Sequence, residues 1–507
     1  TGPDADVQEE YRVEDMAGMP GQPGFCDYVL FGKDGLPLAV VEAKRTRKDP
    51  NIGRKQAVLY ADCLERKFGR RPMMFTTNGF ETYFWDDQTA PQRKVSGIFS
   101  KDDLQKLMNR RTERMDLMGV SIDDKITDRY YQKEAIRAVC EQITQGFRKH
   151  LLVMATGTGK TRTASSLTDV LSRGKWVTNI LFLADRTALV KQAKDDFKNY
   201  LPDMSLCNLC SNKDDRNARI VFSTYPTILN AIDDTKSKDG RQLFTPAHFD
   251  LIIIDETSMV DMGLARQFFS RIQPGTKIVL VGDVNQLQSV GAGDVFREMI
   301  DCGIIPVTTL TEIFRQKEGS LIAKNAALIN EGNTNLEIQS NVEQDEFVLV
   351  RTKTQEEAAD EVCRIFCELV QQHGVEHVQI LSPFRTDGMA SSGQLNQAIR
   401  EIVNPVQGDS PDLKVGGNYF RLNDKVMQNK NNGKASNGDI GFIRKISRNE
   451  HGELKITIVF SDSRVVEYGL ADMEHIELAY ATTIHKAMGS EFEVVIVPVI
   501  RSHMRMW

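Results

Sequence analysis

A chain of 507 residues is longer than one ordinary core supports, so two to four domains are expected. Its 41% hydrophobic and 26% charged content is that of a soluble globular protein, and no run of about 18 apolar residues marks a membrane span. A net charge of −6 argues against indiscriminate nucleic-acid binding, yet Lys44 to Arg114 carries 17 Lys/Arg against 9 Asp/Glu.

The first residues, TGPDADVQEEY, are acidic and polar, unlike a signal peptide, and the lack of an initiating Met reads as a fragment. Eight scattered cysteines suit a reducing, cytoplasmic compartment. Cys207 and Cys210 have no second pair at zinc spacing and read as incidental thiols.

The stretch GFCDYVLFGKDGLPLAVVEAKRTRKD predicts a hairpin, with DYVLF and LAVVEAK as strands and Lys33-Asp34-Gly35 as the turn. Asp27 opens one strand, while Glu42 and Lys44, two apart, share a face of the next. Two carboxylates and an ammonium in that order suit phosphodiester hydrolysis. Asp27 and Glu42 would hold Mg²⁺, which prefers carboxylate oxygens, and Lys44 would orient water or stabilise charge. RKQAVLYADCLERKF predicts a helix placing Gln56 and Tyr60 on one face. This arrangement resembles the PD-(D/E)xK nuclease domain of type I restriction endonuclease motor subunits, with a Gln-x₃-Tyr helix shared with RecB-type nucleases. The resemblance implies catalytic roles for Asp27, Glu42, Lys44, Gln56 and Tyr60. The family's acidic residue on an earlier helix either precedes this chain or is one of Glu9, Glu10 and Glu14.

Downstream, RYYQKEAIRAVCEQITQGFRKHLLVMATGTGKTRTASSL predicts helix, strand, glycine loop and helix. Thr156, Gly157, Thr158 and Gly159 form a loop whose amides approach phosphate. Lys160 would reach the β/γ-phosphates of ATP, and Thr161 would offer its hydroxyl to Mg²⁺. Met154 stands where the literal P-loop pattern has glycine, a departure common in superfamily 2 helicases. ILFLA, IVFST and LIIID follow as apolar runs, the signature of a parallel sheet covered on both faces. Asp255 and Glu256 then fall beside the P-loop, Asp255 toward Mg²⁺ and Glu256 toward the attacking water. To this point the chain resembles the motor domain of the same restriction subunits. That likeness implies adenine reading by Gln132 and nucleic-acid contacts by Arg186 and Thr224.

Beyond Glu256 the parent changes. DETSMVDMGLARQFFSRIQPGTKIVLVGDVNQLQ, LTEIFRQ, VQILSPFR and AYATTIHKAMGSEFEVVIVPV resemble superfamily 1 helicases of the RecD type. The resemblance implies that Gln286 senses the γ-phosphate and that Arg315 reaches it. It also implies that His485, Lys486, Gly489 and Glu491 form a motif touching DNA and ribose, with Ala487-Met488 departing from the usual Ser-Gln. Between Val415 and Glu474, short strands separated by Asn/Gly turns predict a small β-barrel, similar to the SH3-like module of RecD-type enzymes. The chain stops before the family's motif VI arginine, so weak turnover is the expectation that this likeness carries.

The reading is an α/β chain: a nuclease-like domain over residues 1–118 and a RecA-like domain over 119–300. A second RecA-like domain occupies 301–414 and 476–507, interrupted by the β insertion at 415–475. The function read is an ATP- and Mg²⁺-dependent DNA translocase or helicase carrying an endonuclease domain. The alternatives are a nucleotide- and DNA-binding module with little turnover, or a hybrid with no evolved function as one unit. DNA, and the specificity and methylation subunits of a type I restriction complex, are the partners implied; no membrane is.

Overall fold

The computed structural model describes the chain apart from residues 1–5, 15–22, 46–48, 96, 156–157, 212–217, 234–242, 245–247, 273–274, 290, 311–319, 340, 342–345, 407–411, 416, 431–434, 436, 449–452, 462, 489, 491 and 506–507. It divides into two units, Thr1–Asp185 with Val190–Arg315 and Arg186–Leu189 with Gln316–Trp507.

The first unit holds two sheets. One has six strands in chain order: β1 (Val7–Val13), β2 (Gly24–Phe31), β3 (Pro37–Ala43), β4 (Met73–Thr77), β5 (Thr82–Asp86) and β6 (Ala90–Val95). Only β3 and β4 pair in parallel, which requires a crossover, and α1 (Arg54–Phe68) supplies it. Ala57, Tyr60, Ala61 and Leu64 of α1 cover Val29, Val40, Met74 and Trp85 on one face. Leu104 and Met108 of α2 (Lys101–Glu113) cover Leu38, Val41, Phe75 and Phe84 on the other. The acidic opening of the chain thus contributes β1, an edge strand whose charged residues suit a sheet rim.

The second sheet is parallel and seven-stranded, in the order β13-β7-β12-β11-β8-β10-β9. Its strands are β7 (Lys149–Met154), β8 (Ile180–Leu183), β9 (Leu206–Asn208), β10 (Ile220–Ser223), β11 (Leu251–Ile254), β12 (Lys277–Gly282) and β13 (Val307–Leu310). Helix α3 (Tyr130–Thr144) leads into β7, and α4 (Lys160–Arg173), α5 (Thr187–Tyr200), α6 (Tyr225–Asp233), α7 (Met262–Phe269) and α8 (Val295–Asp301) lie between later strands. The central strands are buried throughout, as their unbroken apolar runs require. Pairing of β13 with β7 carries this sheet past residue 300, where the sequence reading drew a boundary. As an edge strand with only Leu310 fully buried, β13 lacks the apolar run that marks its neighbours.

Helix α2 also ties the two sheets together. Arg110 Nη1 donates to Asp250 Oδ1 at 2.8 Å, and Lys106 lies 3.2 Å from the same carboxylate. The backbone amides of Thr178 and Asn179 donate to Asp250 Oδ2 at 2.9 Å. Burial alone would raise the Asp250 pKa, but Arg110 and Lys106 pull it down to about 2. Nearby, the Trp176 indole carries the Arg114 guanidinium at 4.5 Å and the Lys277 ammonium at 5.4 Å. Lys277 is only 7% exposed. Burial, with Arg114 and Arg110 beside it, drops its pKa to about 7.

In the second unit, α9 (Leu321–Asn330) and α10 (Gln355–His373) precede β14 (Val378–Ser382) and α11 (Ser392–Val403). The hairpin of β15 (Leu413–Val415) and β16 (Asn418–Phe420) follows. Next comes an antiparallel sheet ordered β20-β19-β18-β17-β21, from β17 (Lys425–Gln428), β18 (Ile440–Arg448), β19 (Leu454–Phe460), β20 (Val465–Tyr468) and β21 (Ile476–Leu478). The chain then returns to β14, flanked in parallel by β22 (Ala481–Thr483) and β23 (Val494–Ile496), with α12 (Ile484–Ala487) between them. One core joins α10, α11 and β14 to the antiparallel sheet through Phe366, Ile399, Phe420, Ile458 and Tyr480. Among the described residues, no helix is long and apolar enough to cross a membrane.

Candidate functional site

The first candidate site sits where β2, β3 and the start of α1 meet. Asp27 Oδ2 accepts the Ala43 amide at 2.6 Å, which fixes that carboxylate against β3. Glu42 on β3 is 2% exposed, and its Oε1 is paired with Lys44 Nζ. Lys44 also donates to Gln56 Oε1 at 3.0 Å, and Gln56 Nε2 donates to Tyr60 Oη at 2.6 Å. All five residues singled out in this segment therefore converge. Gly53, ahead of α1, allows the approach: a Cβ there would lie 2.7 Å from Glu42 Cγ and 3.0 Å from Lys44 Cε.

Burial raises the Glu42 pKa and the Asp27 charge adds to it, while the bond from Lys44 works the other way. Burial likewise raises the Tyr60 phenol. Glu42 Oε2 is buried with no hydrogen-bond partner among the described residues. An unpaired carboxylate oxygen beside a second carboxylate is the donor set a hard divalent cation takes, so the residues suit Mg²⁺. Sequence reasoning missed Thr76, whose buried Oγ1 also lacks a partner among the described residues and which pairs in register with Glu42 across β3 and β4. Only the tertiary register reveals it.

The second candidate site lies at the carboxyl ends of β7 and β11. Lys160, the first residue of α4, places Nζ 3.0 Å from both Glu256 oxygens. Glu256 adopts the left-handed conformation (φ 50°), and its amide donates to Asp255 Oδ1 at 2.9 Å. Burial raises the Asp255 pKa, the Glu256 charge raises it further, and Lys160 opposes both. Gln132 is fully buried; its Nε2 donates to the Thr158 carbonyl at 2.6 Å, and Thr127 Oγ1 donates to its Oε1. Gly159 has φ 85°, and a Cβ there would run into Gln132 Nε2. Thr161 follows on α4, half-buried. A carboxylate and a hydroxyl flanking a lysine match the donors for a phosphate-bound cation.

Gln286 lies in the turn after β12, its amide donating to the Asp283 carbonyl at 3.3 Å. Thr224 follows β10, with its hydroxyl donating to Thr227 Oγ1 at 3.0 Å. Arg186 is half-buried in the turn after β8. Thr156, Gly157, Arg315, Gly489 and Glu491 lie outside the described residues. His485 and Lys486 are on α12, with Lys486 ion-paired to Glu477. Besides Thr127, the sequence reading passed over Tyr225. Its buried hydroxyl has no hydrogen-bond partner among the described residues, and its pKa is raised by burial and by the charges of Asp185 and Asp255.

Comparison with known proteins divides the chain in the same way as its motifs. The family model for the type I restriction enzyme R protein N terminus matches residues 6–93. That for the type III restriction enzyme res subunit matches 125–258, and that for the ATP-dependent RecD-like DNA helicase SH3 domain matches 395–460. The Type I restriction enzyme EcoAI endonuclease subunit of Escherichia coli is 31% identical over 292 residues, covering 54% of this chain and 35% of that one. The ATP-dependent RecD2 DNA helicase of Deinococcus radiodurans is 30% identical over 263 residues, covering 52% and 34%. The crystal structure of Pif1 helicase from Candida albicans shares 18% identity over 73% of this chain and 87% of its own, at a TM-score of 0.39. The chain spans about a third of the length of the two curated relatives. Up to Asp255-Glu256 the chain resembles the motor subunits of type I restriction endonucleases, and beyond that pair it resembles the RecD-type helicases.

Proposed function

We propose that this chain is an ATP-dependent DNA translocase or helicase carrying a Mg²⁺-dependent endonuclease domain. The observation that carries the reading is Lys160 Nζ held 3.0 Å from both Glu256 oxygens, beside Asp255, at the mouth of a parallel sheet. Lys160 exchanges this carboxylate for the β/γ-phosphates of ATP, and Glu256, once released, orients the attacking water. Asp255 and Thr161 hold the phosphate-bound Mg²⁺, and Gln132 reads adenine. Residues Thr156 to Gly159 wrap the phosphates, Gln286 and Arg315 sense the γ-phosphate, and Glu491 meets the ribose. Arg186, Thr224, His485 and Lys486 contact the DNA backbone.

At the nuclease site, Asp27 and Glu42 hold a cation, Lys44 orients the attacking water, and Gln56 and Tyr60 keep Lys44 aimed. Mg²⁺ bound there supplies polarisation of the phosphate and a more acidic water. The domain reading follows: a nuclease-like layer ahead of residue 119, two RecA-like domains after it, and a β insertion in the second. The partners are DNA and the specificity and methylation subunits of a type I restriction complex, in the cytoplasm.

The test measures two activities on three proteins. DNA-stimulated ATP hydrolysis is expected in the unaltered chain and lost in Lys160→Ala, while Mg²⁺-dependent DNA cleavage persists in Lys160→Ala and is lost in Asp27→Ala. Nucleotide binding with no turnover in the unaltered chain would overturn the motor reading. Cleavage persisting in Asp27→Ala would overturn the nuclease assignment.

A further inference from the structure

The turn between β4 and β5 presents Phe80, which is 82% exposed, more than any other large apolar side chain among the described residues. A single exposed apolar side chain is ordinary. This one is held by an unusual amount of local bonding. The Gly79 amide donates to Thr77 Oγ1 at 3.1 Å, and the Phe80 and Glu81 amides donate to Asn78 Oδ1 at 3.1 and 2.8 Å. Thr77 Oγ1 donates to the Glu81 carbonyl at 3.1 Å, and Gly79 takes φ 89°, which glycine alone adopts freely. The ring is therefore displayed on a turn that is already ordered, so little conformational freedom is lost when something packs on it.

Its position is equally specific. The Lys44 amide donates to the Thr77 carbonyl at 2.7 Å, so the turn leaves the sheet beside the Asp27/Glu42/Lys44 site. Phe80 is three residues on, within about 10 Å by strand rise, the span of a nucleotide or two. Ile52, 64% exposed, stands on the 3-10 turn whose Gly53 packs against Glu42 and Lys44. Arg45, next to Lys44, and Arg54 and Lys55, next to Gly53, are exposed. An exposed aromatic tip within reach of a carboxylate–lysine site whose chain neighbours are exposed cations matches one occupant: a nucleic-acid strand whose phosphates meet the cations and whose base meets the ring.

We propose that Phe80 is a stacking platform for an unpaired nucleobase next to the scissile phosphate. The nuclease site then takes single-stranded, gapped or frayed DNA in preference to intact duplex, where both faces of each base are already stacked. This inference rests on the nuclease reading of the Asp27/Glu42/Lys44 site and adds its substrate class.

The test uses the full chain, a single-stranded oligonucleotide carrying 2-aminopurine, and Ca²⁺ in place of Mg²⁺ so that binding is read without cleavage. Binding is expected to quench the fluorescence. Phe80→Ala should lose the quench and bind the single strand roughly five- to a hundred-fold more weakly, the range of one aromatic–base stack. Phe80→Trp should retain both, and binding to blunt duplex should be unchanged in either variant. Unchanged quenching and affinity in Phe80→Ala would overturn the platform and assign the apolar turn to another occupant, such as a protein partner. An equal loss on duplex would overturn the single-strand preference. Cleavage in Mg²⁺ separates this from the reading beneath it. If Asp27→Ala abolishes cleavage while Phe80→Ala changes nothing, the platform falls and the nuclease stands. If Asp27→Ala still cleaves, the nuclease reading itself falls.

Discussion

Glu42 is pulled two ways. Its burial and the Asp27 charge favour the protonated acid, whereas Lys44 favours the carboxylate. Only the carboxylate ligates a cation, so affinity for Mg²⁺ is expected to fade, as pH drops, earlier than an ordinary glutamate would allow. Removing the lysine removes the opposing force. Calorimetric Mg²⁺ titrations across pH should therefore show the midpoint moving to higher pH in Lys44→Met. A midpoint that stays put would mean the ion pair contributes nothing to the site. At the nucleotide loop, Gly159→Ala combines a positive φ with a Cβ driven into Gln132. It is expected to weaken ATP binding at least tenfold by equilibrium titration, because the loop must move away from Gln132 to relieve a strain of about 1 kcal/mol or more. Glu42 with Lys44, and Gln56 with Tyr60, were legible as pairs because spacings of two and four put each on one face, while Asp27 joined them through the family resemblance. Thr76, Thr127 and Tyr225 were not, since what distinguishes them is a register or a burial that no local window spells out.

Among the elements, those with apolar runs announced themselves: β7, β8, β10, β11 and β12 appear where HLLVMA, ILFLA, IVFST, LIIID and KIVLVGD predict them. The edge strands β1 and β13 did not, because an edge has one unpaired side and tolerates charge. Helix α2 shows what composition conceals. Its basic residues belong to the cationic excess of Lys44 to Arg114, yet Arg110 and Lys106 turn inward to Asp250. Asp250→Asn leaves Arg110 buried without its counter-charge, while Lys106 keeps Asp103 at 3.2 Å, and unfolding by urea should show a loss of about 3 kcal/mol or more. A loss under about 1 kcal/mol would indicate that the amides of Thr178 and Asn179, rather than charge, hold this junction.

At the scale of the whole molecule, two candidate sites with unlike residue sets share the first unit, and the likeness to known proteins changes just after Asp255 and Glu256, which follow β11. Sequence locates that change because the motifs quoted before Asp255-Glu256 and those quoted after it resemble different families. It does not show how side chains from the two stretches meet in the interior. Lys277 lies on the far side of the junction, buried against Arg110 and Arg114 from the near side. Above its ordinary pKa of 10.5 the amine is neutral whether folded or unfolded; as pH falls toward about 7 the unfolded chain takes up a proton that the folded chain refuses. Stability should therefore decline from pH 10 to 7, and Lys277→Met should flatten that decline in denaturant titrations. An unchanged slope would place the proton elsewhere.

That lysine and its arginines amount to a fault line in charge across a boundary where hydrogen bonding is continuous. The backbone crosses it without a mark, since the Lys277 amide donates to the Asp250 carbonyl at 2.9 Å as any parallel neighbour would. Lineages that exchange modules at a shared strand inherit compatible main chains by construction. Side chains beneath a shared strand carry no such guarantee, and here Lys277 meets Arg110 and Arg114 with Asp250 as the carboxylate that offsets them.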